Sequence, residues 1–128
     1  MRRLRLTIGS TVIHAELYDT PTADALYAAA PFTSRAMTWG EEVVFTTPVQ
    51  RWREADARRS VRPNELAFWV DRDAVTIELG PDRADKQDVP LSMPCNIWGR
   101  SVEDVEQLRS IMPGARILLE RDEEMVAS

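Results

Sequence analysis

Polar and apolar positions alternate at both ends of the chain and through its middle. In Arg2 to Ile8, Leu4, Leu6 and Ile8 fall on one side and Arg3, Arg5 and Thr7 on the other, the two-residue period of a strand buried on one face. Gly9-Ser10 is a two-residue turn signal with glycine first, and Thr11 to Leu17 answers with Ile13, Ala15 and Leu17 inward and Val12, His14 and Glu16 outward. This register sets Leu6 opposite Ile13, Arg5 opposite His14 and Arg3 opposite Glu16. The period then changes. Thr20 is a suitable N-cap, Pro21 suits a first helical position, and Ala23, Leu26, Tyr27 and Ala30 recur at i, i+3, i+4, i+7, which predicts a helix that Pro31 ends.

The stretch from Pro31 to Val49 reads as a hairpin. Ser34 to Trp39 and Glu42 to Thr47 are rich in aromatic and β-branched residues and meet at Gly40-Glu41. With that loop, Arg35, Met37 and Trp39 lie opposite Thr46, Val44 and Glu42. Residues 51 to 62 hold five arginines among Trp52, Glu54 and Asp56, and read as a solvated strand end and loop. Leu66 to Val70 and Ala74 to Leu79 are strands joined through Asp71-Arg72-Asp73, and Gly80 to Pro90 is an aperiodic, polar surface loop positioned to close over a site. Pro94 to Arg100 returns as a strand. Ser101-Val-Glu-Asp resembles a capping box, with Val102, Val105, Leu108 and Met112 as the apolar side of a second helix stopped by Pro113-Gly114. Ala115 to Arg121 is the last strand. About eight strands with short connections and two helices make a small closed β-barrel the economical fold, since closure removes exposed sheet edges. One domain is expected over residues 1 to 121, with 122 to 128 as a frayed tail.

Composition narrows the possibilities. A chain of 128 residues with 44% hydrophobic residues buries an ordinary core without a disulfide or structural metal, and the single Cys95, between Pro94 and Asn96, reads as a buried small apolar residue in a reducing compartment. No apolar run approaches the ~18 residues that mark a membrane span, so the expected location is the cytoplasm and no membrane partner is implied. A net charge of −5 argues against nucleic acid as a partner. One histidine and one cysteine do not make a zinc site, Asp82, Asp85 and Asp88 lack the glycine and terminal glutamate of a calcium loop, and no glycine-rich phosphate loop is present. No metal and no cofactor is therefore expected. His14, facing Arg5, reads as a surface residue.

Chemistry concentrates in a few side chains. Glu42 beside Trp39 is a candidate general base whose pKa partial desolvation would raise; the alternative is a polar turn that keeps a hairpin end soluble. Arg35, in an otherwise small and apolar strand, is a candidate clamp for a carboxylate, phosphate or peptide carbonyl; the alternative is an outward salt bridge. Trp39, Trp52, Trp69 and Trp98 divide between core and pocket rim, because each indole N–H wants a partner. Of Phe68 and Trp69, one ring must face in and the other out. Asn96, within a strand, is either a backbone-pairing residue or a polar handle for a ligand.

Pro31-Phe32, Thr38-Trp39-Gly40-Glu41-Glu42, Phe45-x-Thr47-Pro48-Val49, Phe68-Trp69, Gly80, Asn96 with Gly99, and Val102 to Ile111 fall in the order and spacing of a small prokaryotic family of cyclophilin-like domains, which the chain resembles over about residues 2 to 121. The resemblance implies a mainly β fold, a closed eight-stranded cyclophilin-like β-barrel with two α-helices, one at each open end. The larger cyclophilins are peptidyl-prolyl isomerases whose site joins a strand arginine and an apolar proline pocket to a glutamine and a histidine. Arg35 lies in the strand resembling the one that bears their arginine, but His14 comes far earlier than their histidine, and neither Gln50 nor Gln107 matches their glutamine. The resemblance thus supplies a scaffold more than a reaction.

The expected function is a binding module whose groove, near Arg35, Trp39, Glu42, Trp69 and Asn96, holds a small anionic molecule or a short peptide segment. An enzyme is the alternative: a weak prolyl isomerase using Arg35, or a cofactor-free isomerase or lyase with Glu42 as base. A homo-oligomer with a structural role is a third possibility.

Overall fold

The computed structural model describes residues 2–80 and 87–122. The first hairpin forms as its alternation demands. β1 (Arg3–Ile8) and β2 (Thr11–Leu17) pair antiparallel with Leu6 opposite Ile13, Arg5 opposite His14 and Arg3 opposite Glu16. Helix α1 (Pro21–Ala29) begins where expected, with the Thr20 hydroxyl accepting from Ala23 N at 3.1 Å. The expected central hairpin is only partly a hairpin. β4 (Met37–Trp39) and β5 (Glu42–Thr46) pair in the anticipated register, Met37 with Val44 and Trp39 with Glu42, about a turn at Gly40, whose φ of 59° suits glycine. Upstream of Ala36, however, the chain leaves β5. β3 (Phe32–Arg35) pairs with β10 (Arg116–Arg121), so Arg35 sits opposite Arg116 and not Thr46.

That switch closes the barrel. The order of the sheet is β3-β10-β1-β2-β9-β7-β8-β5-β4, with β7 (Glu65–Trp69), β8 (Ala74–Glu78) and β9 (Val89–Ser101) completing the wall. β3 and β4 are successive stretches of one bent strand, the first bonded to β10 and the second to β5, so both ends of the sheet meet in it and, counted so, the wall has eight strands. Hydrogen bonds of Ala36 with Ala115 and Gly114 mark the bend, and the Ser34 hydroxyl spans the remaining gap to Thr46 O at 2.7 Å. β6 (Arg58–Val61) lies outside this path. It pairs with the first half of β9, which runs on beyond the barrel, so the basic segment is in part a strand, and the strand expected from Pro94 begins earlier, at Val89.

Alternation sorts the wall into two faces. Leu6, Ile13, Phe45, Phe68, Ile77, Trp98 and Ile117 are among the inward residues, all buried, and α1 adds Ala23 and Leu26. Each such large side chain contributes roughly 1.5–3 kcal/mol by leaving water. A second, smaller cluster of Val61, Ala67, Val89, Leu91, Cys95 and Ile97 lies on the outer face, covered by β6 and the first half of β9. Where β2 and β9 approach, a Cβ on Gly99 would stand 2.6 Å from Glu16 O, so no larger residue fits without parting the strands.

The second helix is shorter than expected. Among the described residues α1 is the one α-helix; the segment after β9 makes a single 3₁₀ turn, Val105–Leu108. Ser101 is still strand, its N bonded to Asn64 O, and Val102 N is bonded to His14 O. A helix therefore starts only at Asp104, which caps it by accepting from Glu106 N at 3.0 Å, and Pro113-Gly114 bounds the segment on its other side. Its Val105 and Leu108 nonetheless plug the barrel. The loop expected over residues 80–90 and the frayed tail lie largely outside the described residues; Val89 and Pro90 already belong to β9.

Candidate functional site

Five strands place a row of side chains on the outer face. Because antiparallel partners share a face, the pairs Trp39–Glu42 and Glu42–Glu78 line up across β4, β5 and β8, and the pairs Met37–Val44, Val44–Thr76 and Thr76–Ala67 form the adjoining row. Trp69 belongs to the same face, and its ring meets Trp39 edge-on, centroids 6.4 Å apart. Phe68 points the other way into the core. Glu42, Trp69, Thr76, Glu78 and Cys95, with Leu91, Ser92 and Met93 from β9, surround a cavity of about 10 Å³.

Two like-charged groups as direct cross-strand partners are unfavourable unless something neutralises them. Neither Glu42 nor Glu78 has an ion pair among the described residues. Burial, then a hydrogen bond that protonated Glu78 donates to Glu42, then the charges of Glu42 and Glu41, push the Glu78 carboxyl up to about 8. At neutral pH the Glu78 carboxyl is therefore largely protonated. Burial also raises the neighbouring Cys95 thiol to about 11, with Glu42 and Glu78 adding to it and Arg53 opposing, so the cysteine stays a neutral filler as its sequence context implied. Two polar atoms here are buried without a hydrogen-bond partner: Thr76 Oγ1, on a residue 4% exposed, and Trp69 Nε1. Such orphans are uncommon in folded proteins.

The other expected site residues divide. Glu42 and Trp69 line this cavity, and Trp39, 47% exposed, is the cross-strand partner of Glu42 and the edge-on neighbour of the Trp69 ring. Arg35 shares their face but stands toward the other end of the β3–β4 strand. It is exposed, donates to Gly114 O at 3.2 Å, and borders an open concavity of about 730 Å³ with Phe32, Met37, Thr46 and Pro48. Asn96 is not brought to either place. It lies opposite Phe68 on the inward face, and its amide is fully used: Nδ2 donates to Thr22 Oγ1 (3.0 Å) and Trp52 O (2.9 Å), and Oδ1 accepts from Glu54 N (2.8 Å). Glu54 Oε2 in turn accepts from Thr22 N and Oγ1, so Asn96 ties the arginine-rich loop to the start of α1.

Sequence reasoning missed Glu78 and Thr76. Their alternation with Val75 and Ile77 already placed them on the outward face; what was lacking was the pairing of β5 with β8, which puts Glu78 beside Glu42. His14 also has a partner beyond its cross-strand neighbour: its ring Nδ1 lies 2.7 Å from Glu103 Oε2, and its N donates to Glu103 Oε1. Burial raises the Glu103 carboxyl, but these bonds outweigh it and hold the pKa below its ordinary value. Among the described residues no cluster of three His, Cys, Asp or Glu side chains is arranged to hold a metal ion, and no helix is long and apolar enough to cross a membrane.

The architecture is that of a small, nearly closed antiparallel barrel with a cross-strand carboxyl pair on its outer wall. The sequence matches the cyclophilin-like family over residues 2–120, and the chain belongs to that family. Among solved structures it is similar to the solution structure of the hypothetical protein AF2241 from Archaeoglobus fulgidus, with 30% identity, 94% of this chain and 95% of that chain covered, and a TM-score of 0.76. No curated protein matches.

Proposed function

We propose that the chain is a binding module that receives a short peptide segment along the outer face of the β3–β4 strand. One observation carries this reading: Arg35, Met37 and Trp39 alternate onto one face, and the apolar pair between the cationic end and the acidic end is exposed, Met37 by 37% and Trp39 by 47%. Four residue steps at about 3.3 Å give this row a length of about 13 Å, the span of a tetrapeptide. Among the described residues β4 pairs only with β5, so its second edge offers backbone groups for strand addition. Arg35 receives an acidic side chain or terminal carboxylate, which also accommodates a small anionic molecule.

The test is titration of intrinsic tryptophan fluorescence with blocked tetrapeptides carrying an acidic residue at one end and apolar residues between. Saturable change is expected, and Arg35→Ala is expected to weaken binding about tenfold, the equivalent of one charge-assisted hydrogen bond. No saturable change with any member of the set removes the reading.

The carboxyl pair favours a second reading, a cofactor-free isomerase or lyase in which Glu42 acts as base and Glu78 as acid. An active preparation would lose turnover on Glu42→Gln while remaining folded; turnover that survives this change excludes Glu42 as the base.

A further inference from the structure

Glu42 and Glu78 are direct cross-strand partners with no ion pair among the described residues, and the cavity they line has room for about one water-sized group. Thr76 contributes a third oxygen, 4% exposed as a residue and without a hydrogen-bond partner. We propose that Glu42, Glu78 and Thr76 form a site for one primary ammonium group, held between the two carboxylates and the hydroxyl.

The match lies in number and size. A primary ammonium presents three N–H donors and no acceptor, and the cavity presents three oxygen centres: two carboxylates and a hydroxyl. A guanidinium is flat, carries five donors and is too broad for a space of about 10 Å³. A quaternary ammonium has no N–H to give. Trp69 lines the cavity and Trp39 meets its ring edge-on, aromatic surface that suits a cation on its alkyl stem.

The exchange balances. The cation enters, the Glu78 proton leaves to solvent, and both carboxyls are then ionised and paired. Ionisation also frees an acceptor lone pair of the kind that Trp69 Nε1–H lacks. The charged and titratable groups around the pair are Glu41 in the β4–β5 turn, Cys95 on β9, Arg53 acting on Cys95, and Arg72 over the Trp69 ring at 5.1 Å. Cys95 stays neutral through pH 9, and the arginines stay charged, so the pair alone titrates in that range. Ammonium binding must therefore strengthen as pH rises, because less proton remains to displace.

The inference stands on this cavity alone and not on the peptide reading, and its probe contains no peptide. Tryptophan fluorescence or amide NMR shifts of the full chain are followed during titration with ethylammonium at pH 7 and pH 9, against tetramethylammonium and sodium at equal ionic strength. Saturable binding of ethylammonium is expected, about tenfold tighter at pH 9 than at pH 7 for one proton released, with neither control ion saturating. Glu42→Gln is expected to abolish the pH dependence, and Glu78→Gln provides the same readout if the first variant does not fold. Repeating the titration with N-acetyl-lysine amide separates the sources: tighter binding than ethylammonium assigns the group to a lysine side chain, equal binding to a free small amine. Equal response to ethylammonium and tetramethylammonium, or equal ethylammonium affinity at both pH values, overturns the proposal. Peptide binding without ethylammonium binding would leave the β4 reading standing and remove this one.

Discussion

Two carboxyl groups on the outer wall are buried in opposite ways. Glu65, 3% exposed, accepts from the Tyr18 hydroxyl (2.7 Å), from Arg58 Nη2 (2.8 Å) and from Arg62 N (2.8 Å). Burial works to raise its pKa, but the bonds from Arg58, Arg62 and Tyr18 outweigh it and hold the carboxyl below its ordinary value. Tyr18 is pushed the other way, up to about 12, by burial and by its bond to that carboxylate. Among the described residues Glu78 meets burial with no cation; its partner is another carboxyl, and the nearby Thr76 Oγ1 and Trp69 Nε1 have none. One carboxylate completes a network that closes on itself. The other leaves donors and acceptors over, and a group from outside is the natural complement. Burial alone does not distinguish structure from function; satisfaction of the polar groups does.

The largest expected effects lie in the closed networks. Glu65→Ala strips three donors of their acceptor and is expected to lower stability by about 3 kcal/mol in urea unfolding; Arg58 is partly exposed and recovers some hydration, which keeps the loss below that of a fully buried pair. Asn96→Ala opens the second closed network, that joining Thr22, Trp52 and Glu54, and is expected to cost about 2 kcal/mol by the same measurement. A loss under 0.5 kcal/mol in either variant would break the comparison, because a satisfied network must be felt when opened.

The next effect is smaller and of opposite sign. Glu65 has a lowered folded pKa, so its contribution is present above its unfolded value and is lost as pH falls. Glu78 has a raised folded pKa, so its contribution is present below the ordinary carboxylate value of 4.5 and is lost as pH rises through about 8. Glu78→Gln, which mimics the protonated form, is expected to stabilise the fold at pH 8 by about 1–2 kcal/mol and to flatten the decline in stability between pH 5 and 8. Glu65→Gln is expected to destabilise at the same pH. Thermal melts of both variants across that range decide the matter: the same sign for both would mean that the two carboxyls are held alike.

Much of this contrast was legible in the sequence and part was not. The β1–β2 register, the Thr20 cap and the Trp39–Glu42 pairing follow from alternation and turn chemistry, which act over a few residues. The shift of partner at Ala36 is a matter of barrel closure: Arg35 finds Arg116, about eighty residues away, and no local pattern announces it. Glu42 was visible as a candidate because it follows a tryptophan and glycine turn, but its chemistry depends on Glu78, a partner set by the pairing of distant strands. Asn96 shows the converse. A polar residue in a strand reads equally as a ligand handle or as a structural tie, and only the arrival of Thr22, Trp52 and Glu54 around it makes the tie.

The smallest expected effect on stability falls on the residue expected to matter most for binding. Trp39 is 47% exposed, sits on a strand of three residues and makes its ring contact with Trp69 alone among the described aromatics. Trp39→Ala therefore removes little buried area, and a loss of about 0.5–1 kcal/mol is expected in urea unfolding, roughly the worth of one edge-on aromatic pair. Under the proposed function the same truncation removes one end of the peptide row and the edge-on neighbour of the Trp69 ring that lines the ammonium cavity, so peptide and ethylammonium binding are both expected to weaken severalfold. Structural side chains couple the two measurements, because a contact that fixes the fold is felt whenever it is cut. A fold that tolerates Trp39→Ala while binding weakens identifies an exposed indole kept for a partner. A loss above about 2 kcal/mol, in the range of truncating a buried aromatic, would instead make Trp39 part of the closed structure and erase the difference between the two regions.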